Sequence, residues 1–151
     1  MLDRLQTVFA SLHGHEVRYL VIGDIAAVLH GVPRATFDLD ILIEATPENA
    51  QRLLEARHEA GLGTASLTTV ERLLANAITI FNDWVRIHVQ TSTLGLVFPD
   101  AWERRETMDF RGQKFFVVSR GDLIASKRAA GRPEELNDIR CLETEEAGGS
   151  E

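Results

Sequence analysis

The alternation of apolar and polar positions divides the chain into short segments of two kinds. Leu2, Leu5, Val8, Phe9 and Leu12 recur every three or four residues, the spacing of an amphipathic helix over Leu2 to His13. Val17 to Gly23 (VRYLVIG) is a compact, β-rich run and predicts a buried strand. Asp24 to His30 predicts a short helix closed by Gly31, and Pro33 to Thr36 a loop. Phe37 to Glu44 is a second strand. Thr46-Pro47-Glu48 supplies an N-cap, a proline at the first helical position and an acidic first turn. The helix it opens runs to Ala60, and Gly61 and Gly63 break it.

Further on, Ser66 to Ala75 fits no single period and is read as a short helix. Ala77–Phe81 and Val85–Thr91 flank Asn82-Asp83, and Met108–Phe110 and Lys114–Val118 flank Arg111-Gly112. Each pair predicts a hairpin. Phe98 to Arg105, with Pro99 near its start, is a short helix. Ser119 and Asp122 resemble a capping box with Asp in place of Glu, opening a helix to Ala130 that Gly131 ends. Pro133-Glu134-Glu135 begins a last helix to Leu142, and the acidic segment Glu143 to Glu151 is expected to fray into a flexible tail. Without an internal repeat or linker, the expectation is one domain over 1–142 followed by the tail 143–151. The order of elements predicts an α+β fold, a mixed β-sheet with helices packed mainly on one face.

Composition narrows the class. The chain has 151 residues, 44% hydrophobic and 26% charged, enough for one globular domain with a real core. No apolar run approaches the ~20 residues that span a bilayer, and the N-terminal helix lacks a signal-peptide pattern, so no membrane partner and a cytoplasmic location are expected. The single cysteine, Cys141, forms no internal disulfide and fits a reducing compartment. A net charge of −7 argues against broad binding to nucleic acid, while leaving room for a local phosphate pocket. No G-x-G-x-x-G follows the first strand, which disfavours a dinucleotide-binding fold.

Chemistry concentrates in Val21 to Glu44, VIGDIAAVLHGVPRATFDLDILIE. Residues two apart on a strand share a face, so Asp38 and Asp40 point the same way. Two adjacent carboxylates repel unless a cation lies between them, which points to a hard divalent metal, and Mg²⁺ in turn to a nucleoside triphosphate. Gly23 sits where a strand meets a helix N-terminus, whose backbone N–H groups and dipole suit a phosphate. Arg34 and Thr36 lead into the aspartate pair. The plain alternative makes the aspartates exposed strand residues, and Arg34, Lys127 and Arg128 solvated surface charges.

The spaced pattern G-x-x-A-A-x-x-H-G-x-x-R-x-T-x-D-x-D resembles that of minimal nucleotidyltransferases of the DNA polymerase-beta-like superfamily. The later segments VRIHVQTSTLGLVFPDAWERR and DLIASKRAAGRPEELNDI resemble its AbiEii-like and antitoxin-type bacterial branch. The resemblance covers Tyr19 to Leu142. It implies a nucleotidyltransferase fold in which Gly23 approaches the triphosphate and Asp38 and Asp40 hold Mg²⁺. Lys127 is the foremost cation for phosphate oxygens, with Arg34 and Arg128 behind it. It implies transfer of a nucleoside monophosphate from an NTP to a hydroxyl of a protein, RNA or small molecule. The alternative it implies is a degenerate relative acting as a scaffold or antitoxin-like binder of a toxin-like partner.

Two positions depart from the pattern. Asp24 replaces the second Gly or Ser of the family motif; it reads either as an anion in the phosphate cradle or as a helix cap with its carboxylate turned away. His88 stands where the family places a third carboxylate, and alternation along VRIHVQTS lets it face the aspartates. His88 reads as a third metal ligand favouring Mn²⁺ or another divalent ion over Mg²⁺, as a general base, or as the mark of a lost activity.

Overall fold

Strand β1 (Tyr19–Ile22) runs near the middle of a six-stranded mixed sheet. It pairs antiparallel with β2 (Asp38–Ile43) and parallel with β6 (Gln113–Val117). On the far side of β2 lies the parallel β4 (Arg86–Gln90), and the hairpin partners β3 (Ile78–Asn82) and β5 (Glu106–Phe110) form the two edges. The order is β3-β4-β2-β1-β6-β5. The computed structural model describes residues 2–36, 38–61 and 68–149, with side chains over 5–36, 38–61 and 68–144.

Cross-strand register divides the sheet into two unlike faces. Val21, Ile41, Val89 and Val117 share one face and are all buried. Helices α1 (Leu2–Gly14) and α3 (Pro47–Glu59) cover it. Phe9 stacks on Phe115 with ring centroids 4.5 Å apart, and the Arg57 guanidinium lies 3.7 Å from the centre of the Phe81 ring. Ile22, Asp40, His88 and Ile80 share the opposite face. So the α+β expectation holds, and the helix-covered core leaves the second face of the sheet available for a site.

Local chemistry explains the element boundaries. Thr46 Oγ1 accepts from the Asn49 N–H at 3.3 Å and caps α3. The buried Asn49 side chain then ties α3 to both central strands: Oδ1 accepts from Arg18 N–H at 2.8 Å, and Nδ2 donates to the Arg18 and Glu44 carbonyls. The β5–β6 turn uses positive φ at Arg111 (51°) and Gly112 (85°), the geometry of a tight hairpin. Ser119 Oγ caps α6 (Arg120–Ala130) by accepting from the Asp122 N–H. The capping box is only half formed, because the Asp122 carboxylate pairs with Arg104 instead of returning to the Ser119 backbone.

Several boundaries differ from the sequence reading. The short helix α2 (Gly23–Leu29) begins at Gly23, one residue early, because Gly23 already turns out of β1. The ambiguous segment contains α4 (Val70–Ala75), capped by Thr69; residues 66 and 67 lie outside the described residues, as do Phe37 and Gly63. Helix α5 spans Phe98–Glu103. Helix α7 (Pro133–Gly149) continues beyond Leu142, where glutamate and alanine favour helix and no proline intervenes before the glycine pair. Trp102 packs edge-on against Phe116, but Trp84 in the β3–β4 turn is exposed and lies outside the core. Among the described residues no helix is long and apolar enough to cross a membrane.

Candidate functional site

The open face of the sheet forms the floor of a cleft of about 970 Å³. β2 contributes Asp38 and Asp40, β4 contributes His88 and Gln90, and α6 contributes Leu123, Ser126, Lys127 and Ala130. Gly23, Asp24 and Thr36 line its upper end with Arg132 and Glu135. Of the residues singled out in the sequence, the fold brings Gly23, Asp24, Thr36, Asp38, Asp40, His88 and Lys127 into this one cleft. Arg34 stands outside the lining, and Arg128 pairs with Glu143 on the exposed side of its helix.

Gly23 meets Asp40 with no room between them. Its φ is +71°, a region glycine enters without steric cost, and a Cβ placed there would lie 2.7 Å from Asp40 Oδ2. The register Ile22↔Asp40 produces this contact: the chain leaves β1 opposite the second aspartate. The register Asp40↔His88 likewise puts the imidazole beside the carboxylate, with His88 Nδ1 3.0 Å from Asp40 Oδ1. His88 Nε2 is enclosed and has no hydrogen-bond partner among the described residues. The ring therefore acts on Asp40 through Nδ1.

Burial pushes the Asp40 carboxyl up to about 6, against the lowering effect of His88 and reinforced by Asp24 and Asp38. A half-buried carboxylate among other carboxylates is electrostatically incomplete, and a cation shared with Asp38 would relieve it. The donor set of Asp38 and Asp40, all carboxylate oxygen, fits a hard divalent ion such as Mg²⁺ or Mn²⁺.

Asp24 does not cap α2, which has no side-chain cap. Its Oδ1 lies 3.0 Å from an Arg34 guanidinium nitrogen and 3.4 Å from Lys127 Nζ. Lys127 is buried and meets two more acids of α7: Glu135 Oε2 at 2.8 Å and Asp138 Oδ2 at 2.8 Å. Arg34 also reaches Asp138 Oδ1 at 2.6 Å, and Arg132 pairs with Glu135. Burial alone would lower the Lys127 pKa, but its hydrogen bonds to Asp138 and Glu135 outweigh that and hold it above the usual lysine value. Oxygen atoms of Asp24, Glu135 and Asp138 lie within 4.8 Å of one another, the spacing of a metal site. The Lys127 ammonium already contacts all three, so this cluster is an ion network with its charges paired, although Asp138 Oδ2 lacks a well-directed hydrogen bond among the described residues.

Glu135 and Asp138 have no assigned role in the sequence reading. Their i, i+3 spacing on a helix following Lys127 was the available signal; it places both on one helical face. His30, at the end of α2, is buried with Nε2 2.9 Å from the Val118 carbonyl.

A mixed sheet with a glycine turn abutting paired strand carboxylates is a nucleotidyltransferase-type fold. Over residues 2–144 the chain matches the family model described as a nucleotidyltransferase of unknown function (DUF6036), and it belongs to that family. Comparison with curated proteins gives no match.

Proposed function

We propose that this protein transfers a nucleoside monophosphate from a nucleoside triphosphate to a hydroxyl acceptor, with a divalent cation held by Asp38 and Asp40. The observation that carries the reading is the contact of Gly23 with Asp40, which sets a backbone turn directly against one of the carboxylates that would hold the cation. The cleft lining also supports metal dependence. Asp24, Asp38, Asp40 and Glu135 face only Lys127 and Arg132 there, so a bare triphosphate would meet net negative charge. A bound divalent ion would supply neutralisation of the triphosphate and of the charge that develops in transfer. Asp38 and Asp40 would hold it, His88 orients Asp40, and Thr36 offers a hydroxyl at the cleft wall. The acceptor oxygen bonds to the α-phosphorus, the bond to the β-phosphate breaks, and pyrophosphate and the acceptor's proton leave.

One observation favours a second reading, a degenerate member acting as an antitoxin-like or scaffold partner of a toxin-like protein. The cations nearest the Gly23 turn are already engaged: Arg34 by two carboxylates and Lys127 by three. Titration calorimetry with ATP, GTP, CTP and UTP separates the two. Micromolar binding that requires Mg²⁺ or Mn²⁺ and disappears in Asp38→Ala supports the enzyme. Absence of metal-dependent binding supports the partner role.

A further inference from the structure

Beyond the carboxylates the cleft changes character. Arg86, His88 and Gln90 share one face of β4, so Gln90 lies about 7 Å further along than His88. Register sets it between Leu42 of β2 and Ile78 of β3. Leu42 is buried, but Gln90 reaches the cleft, and its amide has no protein hydrogen-bond partner among the described residues. Ile78, opposite Gln90 by register, and Leu94 both line the cleft with 51% and 65% of their surfaces exposed, two large apolar side chains left open to solvent within a concave site. Leu94 is not on a swinging tip. The next residue, Gly95 (φ +80°), lies against α6 so closely that a Cβ would meet the Ala125 carbonyl oxygen at 2.8 Å and Ser126 Cα at 2.9 Å.

We infer that this end of the cleft is the nucleobase subsite and that Gln90 determines which base it takes. The inference rests on the nucleotidyl-transfer reading. A nucleobase has apolar faces and a polar edge, and the two halves of the subsite match them. Ile78 and Leu94 cover the faces; the Gln90 amide, a donor and an acceptor on one plane, pairs with two neighbouring edge atoms. The step from Asp40 past His88 to Gln90 is about the reach of a ribose between its α-phosphate and its base. A base with the wrong edge leaves the half-buried amide unpaired, which is the source of discrimination. A phosphate or sugar phosphate alone would leave the apolar walls open to water.

The test is calorimetry on the full chain with Mg²⁺ and each of ATP, GTP, CTP and UTP, alongside Mg²⁺–tripolyphosphate, which has no base. The native protein is expected to favour one base over another roughly tenfold or more. Gln90→Leu is expected to bring the four nucleotides within about twofold of one another, by weakening the favoured one, while tripolyphosphate binds as before. Gln90→Glu, of the same size but accepting only, is expected to reorder the preference. The inference is overturned by equal affinities in the native protein, by ratios that persist in both variants, or by a parallel loss of tripolyphosphate. If the native protein binds neither the nucleotides nor tripolyphosphate with Mg²⁺, the transfer reading itself fails and the subsite with it. That result is distinct from nucleotide binding whose discrimination ignores Gln90.

Discussion

Gly23 and Asp40 are in contact where β1 leaves its antiparallel pairing with β2, at a separation that admits a Cβ on the glycine only if the Asp40 side chain shifts. Gly23→Ala therefore meets two penalties, a positive φ and a collision with the carboxylate, together about 1–3 kcal/mol or more. Gly61 provides the comparison: its φ is +80°, and a Cβ there would meet nothing within 4 Å. Urea denaturation is expected to show a larger loss for Gly23→Ala than for Gly61→Ala, and only the former should weaken Mg²⁺–nucleotide binding.

Asp40 gives the account its pH dependence. Its carboxyl titrates at about 6 in the fold and at 3.8 ordinarily, so the folded state holds the proton more tightly. This contribution to stability is complete below about pH 4 and is lost as pH rises through about 6. The shift corresponds to about 3 kcal/mol at most. Asp40→Asn removes the buried charge, so in metal-free buffer it is expected to raise the melting temperature at pH 8 and to change it little at pH 4. The same proton competes with a metal, so cation affinity of the native protein should fall as pH drops through about 6.

The ion network around Lys127 is a structural commitment of α6 to α7. Lys127→Met removes the cation the buried Glu135 and Asp138 share and leaves them only Arg132 and Arg34, at a cost of up to about 3–5 kcal/mol. Asp138→Asn keeps a hydrogen-bonding side chain in place and is expected to cost less. Chemical denaturation of both variants checks the order, which reverses if Lys127 is only a solvated charge.

Asp24 and His88, the two departures from the family pattern, lie on opposite sides of the aspartate pair and can be changed together. Asp24→Gly with His88→Asp removes the anion beside Arg34 and Lys127 and adds a third carboxylate beside the Asp38–Asp40 pair. Calorimetry is expected to show Mg²⁺–nucleotide affinity rising roughly tenfold. Without metal the same variant should be less stable than the native protein, since His88→Asp replaces a partner of Asp40 with a like charge.

Much of this was legible in the chain because it depends on local signals. Alternation put Asp38 and Asp40 on one face, capping residues marked the starts of α3 and α6, and Asn82-Asp83 and Arg111-Gly112 marked hairpins that form. The fold supplied what spacing cannot. The direction of the Asp24 carboxylate depends on Arg34 and Lys127, which are distant in sequence from one another. The engagement of Lys127 depends on α7 folding back on α6, so Glu135 and Asp138 carried no signal beyond their shared helical face. The close approach of Gly95 to α6, next to Leu94 of the cleft lining, is equally long-range.

The central claim is tested most directly by incubating the protein and Mg²⁺ or Mn²⁺ with α-labelled nucleoside triphosphates and a mixture of cellular RNA and protein. The account predicts α-label covalently attached to an acceptor, equimolar pyrophosphate release, dependence on the metal, and loss of both products in Asp38→Ala. Absence of attached α-label under every nucleotide and metal, from protein that remains folded, would contradict it.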